Sequence, residues 1–191
     1  MTESTKTQRS AVFLDRDGTL NHDKGFVYLF KDFIWIEDVT ESLARLKKAG
    51  LVLVVITNQS GVNRKFYTHL DVQTLHQEIE RDLLARHSIT IDGWYYCPHN
   101  PEKETCSCRK PSPGLILKAA EDLNLDLTRS YMVGDKLLDI EAGLKAGVKK
   151  TIMVRTGYGL SEQKKAPAET IVVDAFPRAA DYILQDLAWP T

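Results

Sequence analysis

Four carboxylates fall at spacings that suit phosphoryl chemistry. Asp15 and Asp17 flank one arginine in Asp15-Arg16-Asp17-Gly18-Thr19, and Asp135 and Asp139 stand apart in Gly134-Asp135-Lys136-Leu137-Leu138-Asp139. A carboxylate can attack phosphorus and form an aspartyl phosphate, splitting ester hydrolysis into two easier steps. A second carboxyl, neutral when substrate arrives, can protonate the leaving alkoxide and later take a proton from water. Two like charges about 4 Å apart repel by about 4 kcal/mol at an effective dielectric of about 20. Such a cluster, facing an anionic ester, requires a hard cation, and oxygen-only ligands select Mg²⁺. Thr57, the backbone around Asn58, and Lys110 are donors suited to the remaining phosphate oxygens. Taken alone, residues 15–19 also read as an ordinary polar turn. Asp139 stays open between a role in the site and a plain cap or ion pair.

A second constellation has a different chemistry. Cys97-Pro98-His99 and Cys106-Ser107-Cys108 together contain all 3 cysteines of the chain. Three thiolates and one imidazole complete a tetrahedral Zn²⁺ site and leave no place for water, so the site they predict is structural. Free thiols beside a chance histidine are the alternative. Pro101, Glu102, Lys103 and Glu104 could not pack a core, so a metal would be what orders this loop. Arg109 and Lys110 follow Cys108 directly, and a stapled loop would hold that lysine in place.

The elements that must position these groups are legible as apolar runs. Residues 11–14, 51–56, 131–133, 151–154 and 171–173 are continuous and mostly β-branched or aliphatic, as strands buried on both faces are. Helical patterns alternate with them. One is capped by Asp38 and carries Val39, Leu43 and Leu46. A second spans 68–87 with Leu70, Leu75, Ile79, Leu83 and Leu84. A third starts with Ser112 as cap and Pro113 as first residue, and others cover 138–146 and 176–187. This alternation predicts an α/β fold, a doubly wound (Rossmann-like) parallel sheet with right-handed crossovers. In such sheets ligands bind beyond the carboxyl ends of the strands. Asp15, Asp17, Thr57, Asn58, Asp135 and Lys136 all follow strands directly. A helix, a strand and the cysteine loop fill most of 58–109, so no interval holds a cap domain of about 50 residues or more.

Composition excludes other classes. The 191 residues carry a net charge of −1 with 43% hydrophobic and 27% charged residues, as an ordinary globular chain does. No basic stripe is present for nucleic acid or an anionic membrane, and the run 51–56 is too short to span a bilayer of about 30 Å. Residues 1–10 are polar without an apolar signal core, so a flexible tail, a single domain over 11–191 and a cytoplasmic location are expected. His69, His76 and His87 read as solvated or helix-end histidines, and Trp35, Trp94 and Trp189 as packing residues.

The segments Asp-Arg-Asp-Gly-Thr (15–19), Thr-Asn-Gln (57–59), Arg-Lys-Pro (109–111) and Gly-Asp-Lys-Leu-Leu-Asp (134–139) stand in the order, and on the strand ends, of the haloacid dehalogenase-like superfamily. The chain resembles that superfamily over nearly its whole length. The resemblance implies that Asp15 is the nucleophile and Asp17 the acid/base, with Thr57 and Lys110 stabilising the phosphoryl group. Mg²⁺ would be held by Asp15, the backbone carbonyl of Asp17, and Asp135. An aspartate at 17 is the phosphatase form. Residues 95–99 and 106–111 are further similar to a capless, zinc-containing group of heptose bisphosphatases and histidinol phosphatases. Residues 21–27 (Asn-His-Asp-Lys-Gly-Phe-Val) lie closer to the heptose branch. That likeness implies a small sugar phosphate as partner and an enzyme removing a 7-phosphate in lipopolysaccharide-core precursor synthesis; a monomer is expected. Its substrate contacts would be Asp23, Lys24, Gly25, Phe26, Thr57, Asn58, Gln59, Ser60, Arg109 and Lys136, the Arg109 guanidinium suiting a remote phosphate. The segment 61–65 lacks a second glycine common among such proteins, and Asn100 replaces a common histidine. Three rivals are a histidinol-phosphate phosphatase, a polynucleotide 3′-phosphatase, and a zinc-ordered binding module without catalysis. Near-neutral charge opposes the second, and the intact acidic and lysine set opposes the third.

Overall fold

The computed structural model of the chain describes residues 8–188. Its strands are β1 (Ala11–Leu14), β2 (Val52–Asn58), β3 (Gly93–Cys97), β4 (Tyr131–Gly134), β5 (Lys150–Val154) and β6 (Ile171–Val173). They form one 6-stranded sheet in the order β3-β2-β1-β4-β5-β6, and every pairing is parallel. The helices are α1 (Val39–Lys48), α2 (His69–His87), α3 (Gly114–Leu123), α4 (Leu137–Ala146), α5 (Gly159–Glu162) and α6 (Phe176–Ala188). Successive strand residues point to opposite faces, and each face has its own core. Val12, Leu14, Leu53, Val55 and Val133 pack with α1, α2 and α6. Phe13, Val54, Ile56 and Met132 pack with α3 and α4 on the other side. Burial on both faces is why the strands read as unbroken apolar runs.

Strand order reverses beside β1, whose neighbours are β2 and β4. The reversal leaves a crevice at the carboxyl ends of these strands. Leu14 lies in register with Val133, and the Asp15 amide donates to the Val133 carbonyl at 2.9 Å. Asp15 and Asp135 therefore leave the sheet side by side. Between β1 and β2 lie only loops, one 3₁₀ turn (Phe30–Asp32) and α1.

Several local readings change. The strand before the cysteine loop, β3, is an edge strand of half-buried residues and lacks an aliphatic run. Asp38 precedes α1 but takes a left-handed backbone (φ 59) and makes no side-chain cap bond. α3 starts one residue later than expected, because the Gly114 amide is tied to the Ser107 carbonyl rather than to a side-chain cap. On α2 the buried stripe is Val72, Leu75, His76, Ile79 and Leu83. Leu70 and Leu84 sit off that face at 68% and 55% exposure. His76 is thus buried, not solvated, and stacks on Trp94 with ring centroids 4.2 Å apart. Trp35 and Trp94 pack against the core, and Trp189 lies outside the described residues. Of the expected tail, 1–7 lie outside them too, while the Asp126 amide donates to the Arg9 carbonyl at 2.9 Å.

Candidate active site

Gly18 is required where it stands. Its φ is +96, and a Cβ there would meet the Asp135 carboxylate. The turn after β1 can therefore lie directly against the exit of β4. Asp15, Asp17, Thr57, Lys110, Lys136 and Asp139 line one cavity of about 240 Å³ at this point, with Asp135 fully buried nearby.

Lys110 is the hub of the cluster. Its ammonium is buried and meets Asp15 Oδ1 at 2.5 Å and Asp139 Oδ1 at 2.6 Å. It also donates to the Ile56 carbonyl at 2.7 Å. Burial alone would discharge it, but Asp139 and Asp15 outweigh that and raise its pKa above the usual lysine value. Asn58 clamps its backbone through two bonds of 3.2 Å, one to the Lys110 carbonyl and one from its amide. Asp139 has both structural roles at once, since it also accepts the Lys136 amide at 3.0 Å as the cap of α4.

Burial pushes Asp15 up to about 6, against the pull of Lys110 and with help from Asp139. Burial, then the charges of Asp15 and Asp139, push Asp135 up to about 8. Asp135 Oδ2 accepts the Tyr158 amide at 2.8 Å, whereas its Oδ1 is buried without a partner. Carboxylate oxygens of Asp15, Asp135 and Asp139 all lie within 4.8 Å of one another. An orphaned buried oxygen among carboxylates that resist ionisation fits a hard divalent cation.

Asp17 has a different environment. Arg16 Nε and one Nη reach its carboxylate at 3.2 and 2.8 Å, Asn21 Nδ2 at 3.1 Å and Gln59 Nε2 at 3.0 Å. Burial alone would raise its pKa, but Arg16 first, then Asn21 and Gln59, hold it below the usual carboxylate range. Arg16 is itself wholly buried and anchored to the Val27 carbonyl at 2.6 Å. Two neighbouring acids thus have opposite tendencies, set by surroundings rather than by residue type.

The expected substrate residues divide. Asp23, Gly25, Phe26, Asn58, Gln59 and Lys136 line the cavity with Asp15, whereas Lys24, Ser60 and Arg109 do not. Arg109 lines an adjoining cleft of about 360 Å³ that shares Lys110 and Leu138 with the cavity. Lys136 reaches Asp23 at 3.3 Å and lies 4.5 Å from the Tyr158 ring centroid. Four contributors had no role assigned from the sequence: Arg16, Asn21, Tyr67 and Tyr158. Tyr67 donates to Gln59 at 2.7 Å, and Tyr158 follows Gly157, where a Cβ would meet Gly18 and Asp135. The sequence signal for this last loop is Gly157, three residues past the end of β5.

The cysteine loop closes as its composition predicts. Cys108 Sγ lies 3.3 Å from Cys97 Sγ and 3.3 Å from Cys106 Sγ, and His99 Nδ1 lies 3.2 Å from Cys108 Sγ. Three sulfurs and one imidazole nitrogen, all within 4.8 Å of one another, fit a four-ligand Zn²⁺ site with no open position.

A model of the haloacid dehalogenase-like hydrolase family matches residues 20–147, and a HAD-hydrolase-like model matches 107–189. The D-glycero-beta-D-manno-heptose-1,7-bisphosphate 7-phosphatase of Haemophilus ducreyi is 42% identical over 177 residues, covering 88% of this chain and 97% of that protein. Its namesake from Escherichia coli K12 is 40% identical over 184 residues, covering 93% of this chain and 90% of that one. Among solved structures, the D,D-heptose 1,7-bisphosphate phosphatase of B. bronchiseptica, complexed with magnesium and phosphate, superposes with a TM-score of 0.86. It is 32% identical and covers 93% of this chain and 99% of that one. With the family model matched over more than half its length, the chain belongs to the haloacid dehalogenase-like hydrolase family.

Proposed function

We propose that the chain is a Mg²⁺-dependent phosphomonoesterase that removes the 7-phosphate of D-glycero-D-manno-heptose 1,7-bisphosphate, a step toward the lipopolysaccharide core. The observation that carries this reading is the meeting of Asp15, Lys110, Thr57, Asp135 and Lys136 at the reversal in strand order. The heptose substrate is suggested by relatives about 40% identical over most of the chain.

In this reading Asp15 attacks the 7-phosphorus in line with the sugar oxygen, forming an aspartyl phosphate as the P–O7 bond breaks. Asp17 gives its proton to the departing O7. It holds that proton only once the dianionic phosphate sits beside it, because the added negative charge favours the neutral acid. The same carboxylate then takes a proton from the water that attacks phosphorus, releasing inorganic phosphate and restoring Asp15. Lys110 and Thr57 hold the phosphoryl oxygens, while Asn58 fixes the Lys110 backbone. Mg²⁺, held by Asp15, Asp135 and the Asp17 backbone carbonyl, supplies the charge that lets phosphate approach a carboxylate. Asp23, Gly25, Phe26, Gln59 and Lys136, which line the cavity, contact the sugar, and Arg109 in its adjoining cleft takes the 1-phosphate. Zn²⁺ on Cys97, His99, Cys106 and Cys108 orders the loop that carries Arg109 and Lys110. The enzyme acts as a monomer in the cytoplasm, one catalytic domain from residue 11 onward. No helix among the described residues is long and apolar enough to cross a membrane.

The test is phosphate release with Mg²⁺ present from heptose 1,7-bisphosphate, histidinol phosphate and 3′-phosphorylated DNA. Highest kcat/KM on the heptose substrate is expected. Preference for histidinol phosphate, or salt-sensitive binding and turnover of the DNA, would overturn the heptose assignment.

A further inference from the structure

Phe26 and Phe66 belong to loops that follow different strands, β1 and β2. Their rings meet edge to face with centroids 4.8 Å apart. Both remain about half exposed, at 48% and 56%, so the pair is an apolar patch kept at the surface and not a piece of core. Two non-glycine residues of these loops are left-handed, with φ 51 at Phe26, directly after Gly25 (φ 73), and φ 64 at Lys65 just before Phe66. Residues held in this region persist only where their surroundings over-determine them, and they gather at ligand contacts. The segment 61–65 is the one that lacks the expected second glycine. Behind the pair, Tyr28 stacks on Tyr67 at 5.0 Å and joins the same two loops again. Phe26 lines the catalytic cavity beside Asp23 and Lys136. Phe66 does not, and faces a larger cleft on the other side of Tyr67.

We propose that Phe66 sets the preference for ring-bearing phosphates, acting as a positioning residue that fixes the Phe26 ring at the cavity mouth. There the Phe26 ring packs on the carbon-bound hydrogens of the substrate's sugar, while Asp23 and Lys136 beside it meet the hydroxyls. The inference rests on the sugar-phosphate reading of the site and adds the residue that enforces it. The chemistry is that of a sugar ring, which has an apolar face of C–H groups and a polar edge. An aromatic surface next to an ion pair offers complementary ground to both.

Steady-state kinetics on wild type, Phe66→Ala and Phe66→Tyr test this, with heptose 1,7-bisphosphate as the ring-bearing substrate and glycerol phosphate as the ring-free one. The ratio of their kcat/KM values is expected to fall about tenfold in Phe66→Ala, the size of effect an apolar contact has on substrate choice. The loss should lie in KM for the sugar rather than in kcat, and Phe66→Tyr should restore the ratio. An unchanged ratio, an equal loss on both substrates, or a loss confined to kcat would overturn the proposal. A wild type that turns over no sugar phosphate would instead overturn the sugar reading, and this inference with it. The two failures are distinct, because one is visible in the wild type and the other only in the variant.

Discussion

Arg16 and Asp17 form a pair that is almost wholly enclosed, with side-chain exposures of 0% and 17%. Arg16 spends three of its contacts on fixing one carboxylate and the Val27 carbonyl. Removing one partner of such a pair strands the other in a poorly solvated site. Arg16→Met should therefore cost about 3–5 kcal/mol by urea denaturation and lower turnover as well. A variant as stable as wild type would show that water or Asn21 and Gln59 suffice for Asp17. Asp15, Asp17 and Asp135 were legible because polar residues at strand exits have few structural excuses, and Lys110 because it stands between the cysteine loop and a helix start. Arg16 was not, since an arginine between two aspartates reads equally as a solvated neighbour. Its burial depends on the Val27 carbonyl, which only the folded loop brings to it. Tyr67 and Tyr158 were hidden for the same reason, as Tyr67 is seated by its stacking on the distant Tyr28 and Tyr158 acts through its backbone amide.

Helix α2 and strand β3 meet through His76 and Trp94. Burial, then the positive charge of Arg16, hold the imidazole pKa down to about 3, against an ordinary value of 6.5. Between these values the unfolded chain binds a proton that the folded chain does not, so stability is lost as pH falls below 6.5. His76→Phe keeps a ring against Trp94 and removes this proton. Relative to wild type, the variant should gain about 2 kcal/mol on going from pH 7 to pH 5, read from denaturation midpoints at each pH. A constant difference would place the protonation of His76 elsewhere.

The cysteine loop holds its place through a different force. It packs few apolar groups, yet its backbone carries the start of α3 through the bond from Gly114 to Ser107. Cys106→Ser should lower zinc content and melting temperature together. A chain that purifies without zinc and keeps full stability would contradict a structural metal. The loop was legible because its donor set has one obvious use. Edge strand β3 had no bounds in the sequence because Gly-Trp-Tyr-Tyr-Cys is neither an alternating nor an aliphatic run. Caps also divided. Thr68 and Asp71 form the reciprocal box at α2, whereas Asp38 spends its conformation on a left-handed turn.

At the scale of the whole molecule, parallel pairing brings the carboxyl ends of β1, β2 and β4 to one rim. The doubly wound fold was legible because unbroken apolar runs alternate with helical patterns, and two-sided burial leaves that mark. The order of the strands was not written in periodicity. It follows from which crossovers turn back over β1, and it sets which strand exits become neighbours. Asp15 meets Asp135 because β4, and not β2 alone, lies beside β1. The catalytic proposal depends on that adjacency.

Its central element is Asp15 as the nucleophile that accepts the phosphoryl group. The aspartyl phosphate stands between the two steps that Asp17 serves, as acid in the first and base in the second, so it is populated during turnover with substrate and Mg²⁺. The decisive measurement is rapid acid quenching of the wild type during reaction, followed by peptide mass spectrometry. The account predicts one phosphoryl group on Asp15, absent when Mg²⁺ is chelated. A phosphoryl group on any other residue, or turnover that survives in Asp15→Asn, would contradict it.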